Sequence, residues 1–343
     1  MALQFLDSVG HEATADLAAK GITQWGEGVT VEAGLSREGG PALKIGSDAY
    51  CRYGPVYPVP TPAATVSMHW AGRVDALVVG KIWQLVVLYA VKGVQCSLWV
   101  SPDGSLQAGY DQYGDFTAVG DPTTPGVVVG GVNYSFELTV TLHVSAGAIV
   151  LKVNGAEVLN LTGIRTTGTT TGTLIDQVKF GSSSNNGTFA YCSDVAIGLD
   201  AGDVRVDPQF PTANGSDRDW TRSAGSDDFS LVNDATPDTA TRLSSSTVGD
   251  RVSVVKEPMR NAGGTLKGVQ VVAYASKTDA GPCGLTAYLL IGGTRYYGAE
   301  FFPSFGSWAY FLSVWDLNPA TSGAWTESAF NAAQVGIEHT TAS

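Results

Sequence analysis

The chain is short of charge. Asp, Glu, Lys and Arg make up 15% of its 343 residues, against roughly 25% in an average globular protein, so uncharged polar side chains must cover much of the surface. The charge that exists is acidic, with a formal net of −12 and no dense run of Lys or Arg. Nucleic acid is therefore excluded as the main partner, because the long-range term that drives such binding has the wrong sign. Long apolar runs are also missing. The most apolar stretch, Ile82 to Val91, is broken by Gln84 and bounded by Lys81 and Lys92. It falls short of the roughly 18 to 20 residues a membrane helix needs and predicts a buried strand instead. Cysteine is scarce: Cys51, Cys96, Cys192 and Cys283 lie far apart with no Cys-x-x-Cys, which predicts buried free thiols over a disulfide framework. The opening Met1 to Asp7 lacks the basic start and apolar core of a secretory leader.

The signatures of catalysis are missing too. No Gly-x-Ser-x-Gly elbow, Walker-type phosphate loop or dinucleotide Gly-x-Gly-x-x-Gly after a strand is present. The four histidines, His11, His69, His143 and His339, lie on separate segments, with none of the paired spacings a zinc site uses. Glycan hydrolysis needs two carboxylates facing each other across a cleft. Glu137 and Glu157 stand alone. These absences predict a protein that is not an enzyme, with no required cofactor.

What is abundant favours strands and turns. Forty-two Gly and fifteen Pro, with plentiful Thr, Ser, Trp and Tyr, predict an all-β chain, and its length suggests two domains. Strands are expected at Val66–Trp70, Trp83–Tyr89, Cys96–Val100, Phe136–Val144 and Ile149–Val153, with a turn at Ser101-Pro102-Asp103-Gly104. Asn154-Gly155 before Glu157–Leu159 is a hairpin signal. Residues 201–240, rich in Asp, Pro, Asn, Ser and Thr, read as a linker. Strands resume at Arg251–Val255, Leu266–Ala275, Leu285–Ile291, Tyr296–Phe302 and Trp308–Val314, making a smaller β-sandwich over 241–343. A short helix is expected near Thr326–Ala333, with Thr326 as its cap.

Two resemblances add to this. The Asn154-Gly155 hairpin, the strand Val178–Gly181 and the closing run Cys192–Ile197 resemble the end of a laminin-G-like, concanavalin-A-like jelly roll, whose last strand returns beside the first; the likeness covers about residues 1–200. In the second half, Gly202–Val206, Asp219-Trp220-Thr221, Val232-Asn233-Asp234, Pro237-Asp238-Thr239, Gly268–Val271, Asn318–Thr321 and Ala324-Trp325-Thr326 resemble the C-terminal portion of virion structural proteins of tailed bacteriophages. That likeness implies a particle component of the tail, its fibre or tip, or the capsid surface as decoration. It would assemble in the host cytoplasm, contact other virion proteins, and form a homo-oligomer such as a trimer. Attachment to host-surface polysaccharide is a further implication. The alternative is a carbohydrate-binding module or a glycan hydrolase of lectin-like fold.

Candidate site residues follow. For sugar stacking, Tyr110 and Tyr113 beside Asp111 are best placed, while Trp83 and Trp99 sit in apolar strands and are expected in the core. Folds of the laminin-G and lectin kind hold calcium at a loop rim with Asp oxygens, which points to Asp103, Asp111 and Asp115; turn-forming, solubilising aspartates are the other reading. The densest aromatic stretch, Tyr296, Tyr297, Phe301, Phe302, Phe305, Trp308 and Tyr310, suits core, a subunit interface or a ligand surface, in that order.

Overall fold

The computed structural model describes residues 5–7, 17, 22–25, 28–37, 41–46, 49–53, 65–90, 93–112, 115–168, 175, 177–182, 188–198, 204–235, 237–260 and 263–341. The chain divides into two compact units, Met1–Val206 and Asp207–Ser343.

The strands of the first unit are β1 (Phe5–Asp7), β2 (Ile22–Trp25), β3 (Val29–Glu32), β4 (Ala42–Ile45), β5 (Ala49–Tyr53), β6 (Thr65–Val74), β7 (Trp83–Ala90), β8 (Gly93–Val100), β9 (Leu106–Gln112), β10 (Asp115–Val119), β11 (Tyr134–Thr141), β12 (Gly147–Val153), β13 (Ala156–Ile164), β14 (Gln177–Ser182) and β15 (Ala190–Ile197). They form two antiparallel sheets. One runs β13-β12-β11-β6-β15-β4-β3 with β1 added on β15, and the other runs β10-β9-β8-β7-β14-β5-β2. The closing strand does lie beside the first, with Phe5 opposite Ile197, and the result is a jelly-roll sandwich.

Alternation explains the core. On β11 the apolar Phe136, Leu138 and Val140 point inward, while Glu137, Thr139 and Thr141 point away. Trp70 stacks on Phe136 at 5.0 Å and meets Phe180 of the opposite sheet at 5.5 Å, so these rings bridge the two layers. A side chain at Gly72 would collide with the Trp70 and Phe136 rings. Asn154 and Gly155 both take positive φ, 51° and 78°, the backbone that a two-residue hairpin turn requires. The strand expected to reach Val144 ends at Thr141, because the His143 Nδ1 accepts from the amides of Ser145 and Ala146 and turns the chain. Cys51, Cys96 and Cys192 are buried free thiols and Cys283 is half-buried. Burial pushes the Cys96 thiol up to about 12.

The second unit contains β16 (Pro211–Arg218), β17 (Thr221–Arg222), β18 (Leu243–Ser244), β19 (Arg251–Lys256), β20 (Val269–Ala275), β21 (Gly284–Ile291), β22 (Thr294–Phe301), β23 (Ala309–Trp315), the helix α1 (Glu327–Ala332) and β24 (Gln334–Thr341). A five-stranded sheet, β16-β19-β24-β21-β22, faces the pair β20-β23 across a core of Val269, Val271, Ala287, Leu289, Trp315, Trp325 and Phe330. Thr326 caps α1 by accepting from the Ala329 amide.

The expected linker, 201–240, is corrected here: residues 211–218 are an edge strand of that sheet, and Asp228 is 0% exposed. Asn214 holds the segment, since its Oδ1 accepts from the amides of Asp228 and Phe229. Asp228 in turn sits between Arg218 and Arg222, at 2.6 and 2.5 Å. Polar pairing, which has no hydrophobic period to betray it, folds this stretch. Among the described residues no helix is long and apolar enough to cross a membrane.

Candidate functional site

Of the residues that sequence adjacency had grouped for sugar stacking, the structure describes the surroundings of Tyr110, on β9. Tyr110 shares the face of buried Leu106 and Ala108, and the Arg165 guanidinium covers its ring at 4.9 Å. Tyr113 lies outside the described residues, as do the side chains of Asp111 and Asp115. The calcium candidates are split. Asp103 precedes β9, whereas Asp111 sits near its far end, five residues beyond Leu106 or about 17 Å at strand rise. The Asp103 carboxylate accepts from the Ser105 amide at 3.0 Å and its hydroxyl at 2.7 Å, bonds that hold it below the usual carboxylate range. This is the turn-forming role. Among the described residues no three His, Cys, Asp or Glu side chains converge on a point.

The aromatic stretch of the second unit is not one surface either. Phe301 stacks on Phe311 at 4.4 Å and packs against the core, while Tyr310 and Trp308 pack on Tyr274 at 4.6 and 5.3 Å. Tyr296 is half-buried. Exposed Tyr297 donates to the Glu338 carboxylate. Phe302 and Phe305 are 60% and 61% exposed.

A different constellation emerges on the face of the seven-stranded sheet that points away from the core. Strand pairing sets Arg52 directly opposite Lys179, Lys179 opposite Val87, Val87 opposite Ser97 and Ser97 opposite Gly109. Cross-strand partners share a face, and the alternate residues Cys51, Phe180, Val86 and Leu98 fill the core. Along the outer face, Tyr50, Gln177, Gln95 and Trp99 join this row. Trp99, expected in the core, is instead half-buried here; its indole donates to the Ser97 hydroxyl at 2.8 Å and its ring meets Phe116 at 5.1 Å. Trp83 is buried as expected.

The floor of this face is closed and its rim is open. Gln95, Ser97, Val87 and Lys179 are buried, whereas Tyr50, Arg52, Gln177 and Trp99 are half-buried. The segment after β13 comes over it, with the Gly168 amide donating to the Gln95 amide oxygen at 3.3 Å. Lys179 is 4% exposed and places its ammonium 4.2 Å from the centre of the Tyr50 ring. Burial, and secondarily the neighbouring Arg52 charge, pull its pKa down to about 8. No carboxylate among the described residues pairs with it, and the Arg52 Nε is buried without a hydrogen-bond partner. Sequence held one signal of this: cations inside two otherwise apolar or aromatic strands, Tyr50-Cys51-Arg52-Tyr53 and Val178-Lys179-Phe180. The distance between them along the chain hid their pairing.

The arrangement offers aromatic rings, amides, a hydroxyl and two cations on one surface. The described part of this face holds no pair of facing carboxylates.

No protein-family profile matches the chain, and no curated protein does. Solved structures are distantly similar to part of it. An endo-β-1,4-glucuronan lyase from the fungus Trichoderma reesei is 15% identical, with 53% of this chain and 92% of that one covered at a TM-score of 0.42. An alginate lyase is 12% identical over 60% and 95%, with a TM-score of 0.37. A carbohydrate esterase of a Shiga toxin-encoding bacteriophage is 11% identical over 57% and 100%, with a TM-score of 0.36. At these identities no residue role passes from them to this chain.

Proposed function

We propose that the protein is a carbohydrate-binding protein whose jelly roll takes a polysaccharide on the outer face of the seven-stranded sheet, without turning it over. The observation that carries this reading is the shared face of Trp99, Phe116, Tyr50, Gln95, Ser97, Arg52 and Lys179. Half-buried rings at the rim supply flat apolar surface for a pyranose, and Gln177 with the two cations supplies polar groups for its hydroxyls, while buried Gln95 and Ser97 hold the floor in place. The test applies the intact chain to an array of bacterial surface polysaccharides, beside an assay for new reducing ends. Binding, weakened tenfold or more by Trp99→Ala and with no new ends formed, is the expected result. A folded chain that binds nothing on the array, or a Trp99→Ala variant that binds as before, sinks the reading.

A second reading concerns the assembly to which that binding would belong. The motifs of the second half support a component of a tailed-phage particle, and exposed Phe302 and Phe305 favour a contact between copies of this chain. Solution mass checks it: an oligomer is expected, and Phe302→Ser with Phe305→Ser should return it to a monomer. A wild-type monomer at high concentration would count against it.

A further inference from the structure

We infer that the glycan recognised on this face carries an anionic substituent, a carboxylate or a sulfate, seated between Arg52 and Lys179. The inference rests on the glycan-binding reading and names its ligand class.

Two like charges directly opposite on neighbouring strands destabilise a sheet, and a buried ammonium without a counter-ion costs more still. Lys256, the buried lysine of the second unit, donates to the Phe330 carbonyl at 2.6 Å. Lys179 differs: a 96% buried ammonium stands directly opposite Arg52, whose buried guanidinium Nε has no hydrogen-bond partner, and no carboxylate among the described residues pairs with it. An anion placed between them would offset the mutual repulsion and take the free donors of both, giving the charge-assisted bonds that a neutral sugar cannot. The Tyr50 ring under the ammonium and Gln177 beside it on β14 leave donors and a flat surface for the rest of the sugar ring.

The experiment titrates the intact chain calorimetrically with three oligosaccharides: a uronic acid polymer fragment, a sulfated one and a neutral β-glucan. One anionic oligomer should bind at least tenfold tighter than the neutral one. The preference should vanish in Lys179→Met, survive in part in Lys179→Arg, and decline between pH 7 and 9.5 as the ammonium loses its proton. Circular dichroism verifies the fold of each variant, and Arg52→Gln makes the same measurement if Lys179→Met fails to fold. Equal binding of charged and neutral oligomers, unchanged in the variants, overturns the cation-pair inference and leaves the glycan reading standing. Failure of all three to bind overturns both. Whichever anionic oligomer wins tells carboxylate from sulfate.

Discussion

Among the described residues each unit buries one lysine, with the same electrostatic consequence and a different use. Lys179 in the jelly roll and Lys256 in the second unit both have their pKa pulled to about 8 by burial. Lys256 has an employment inside the fold: its ammonium donates to the Phe330 carbonyl in α1 and lies 3.6 Å from the Phe330 ring centre, tying helix to sheet where a cation suits the helix end. Lys179 faces Arg52 and lies against the flat face of Tyr50, with no carboxylate partner among the described residues. The difference teaches that a depressed lysine pKa marks a site only when geometry leaves the charge unused.

The largest expected effect removes the counter-ion in the compensated unit. Asp228→Ala removes the acceptor shared by the solvent-accessible Arg218 and Arg222, and should destabilise the second unit by about 1.5–3 kcal/mol through the lost charge-assisted bonds. Calorimetry of the intact chain would show its transition fall while that of the jelly roll holds; a shift under 1 kcal/mol would remove the contrast between compensated and uncompensated cations. Lys179→Met should act in the opposite direction, raising the stability of the jelly roll by on the order of 1–3 kcal/mol at pH 7, because a buried charge disappears and no acceptor is orphaned. If denaturant titration shows a loss instead, Lys179 has a structural partner and the comparison breaks.

The pH dependence follows with its sign. Lys179 and Lys256 bind their protons less tightly in the folded than in the unfolded chain, so the unfolded state carries more protons between about pH 8 and the ordinary lysine value near 10.5. These two groups therefore make stability rise across that window, and Lys179→Met should abolish the rise in the jelly roll alone. Smaller again, Lys256→Met should cost the second unit about 1 kcal/mol through the lost bond to Phe330, and Thr326→Ala about 1 kcal/mol through the lost cap of α1. A stabilising Lys256→Met would make the two lysines alike.

Much of the fold was legible because its signals are local. Alternation at Phe136–Val140 predicts which face is buried, Asn154-Gly155 predicts a tight hairpin, and Thr326 ahead of Glu327 predicts a capped turn. β16 was illegible: Pro211-Thr212-Ala213-Asn214-Gly215-Ser216-Asp217-Arg218 alternates nothing and contains a turn dipeptide. It becomes a strand because β19 offers it an edge, with register shifts that absorb the mismatch. The surroundings of Tyr110 were illegible for a related reason: alternation along β9 turns it to the face of Leu106 and Ala108, where the Arg165 guanidinium covers its ring.

The sequence by itself determined an all-β chain in two parts, acidic overall, with scattered cysteines; each of these follows from composition or from a pattern a few residues long, while the jelly roll closed by its last strand against its first came from a family resemblance. Only the tertiary structure decided that β5 and β14 are neighbours, that Arg52 therefore faces Lys179, and that Trp99 lies on their side of the sheet. Pairing between distant strands is set by the packing of the whole sandwich, and no short window of residues contains it.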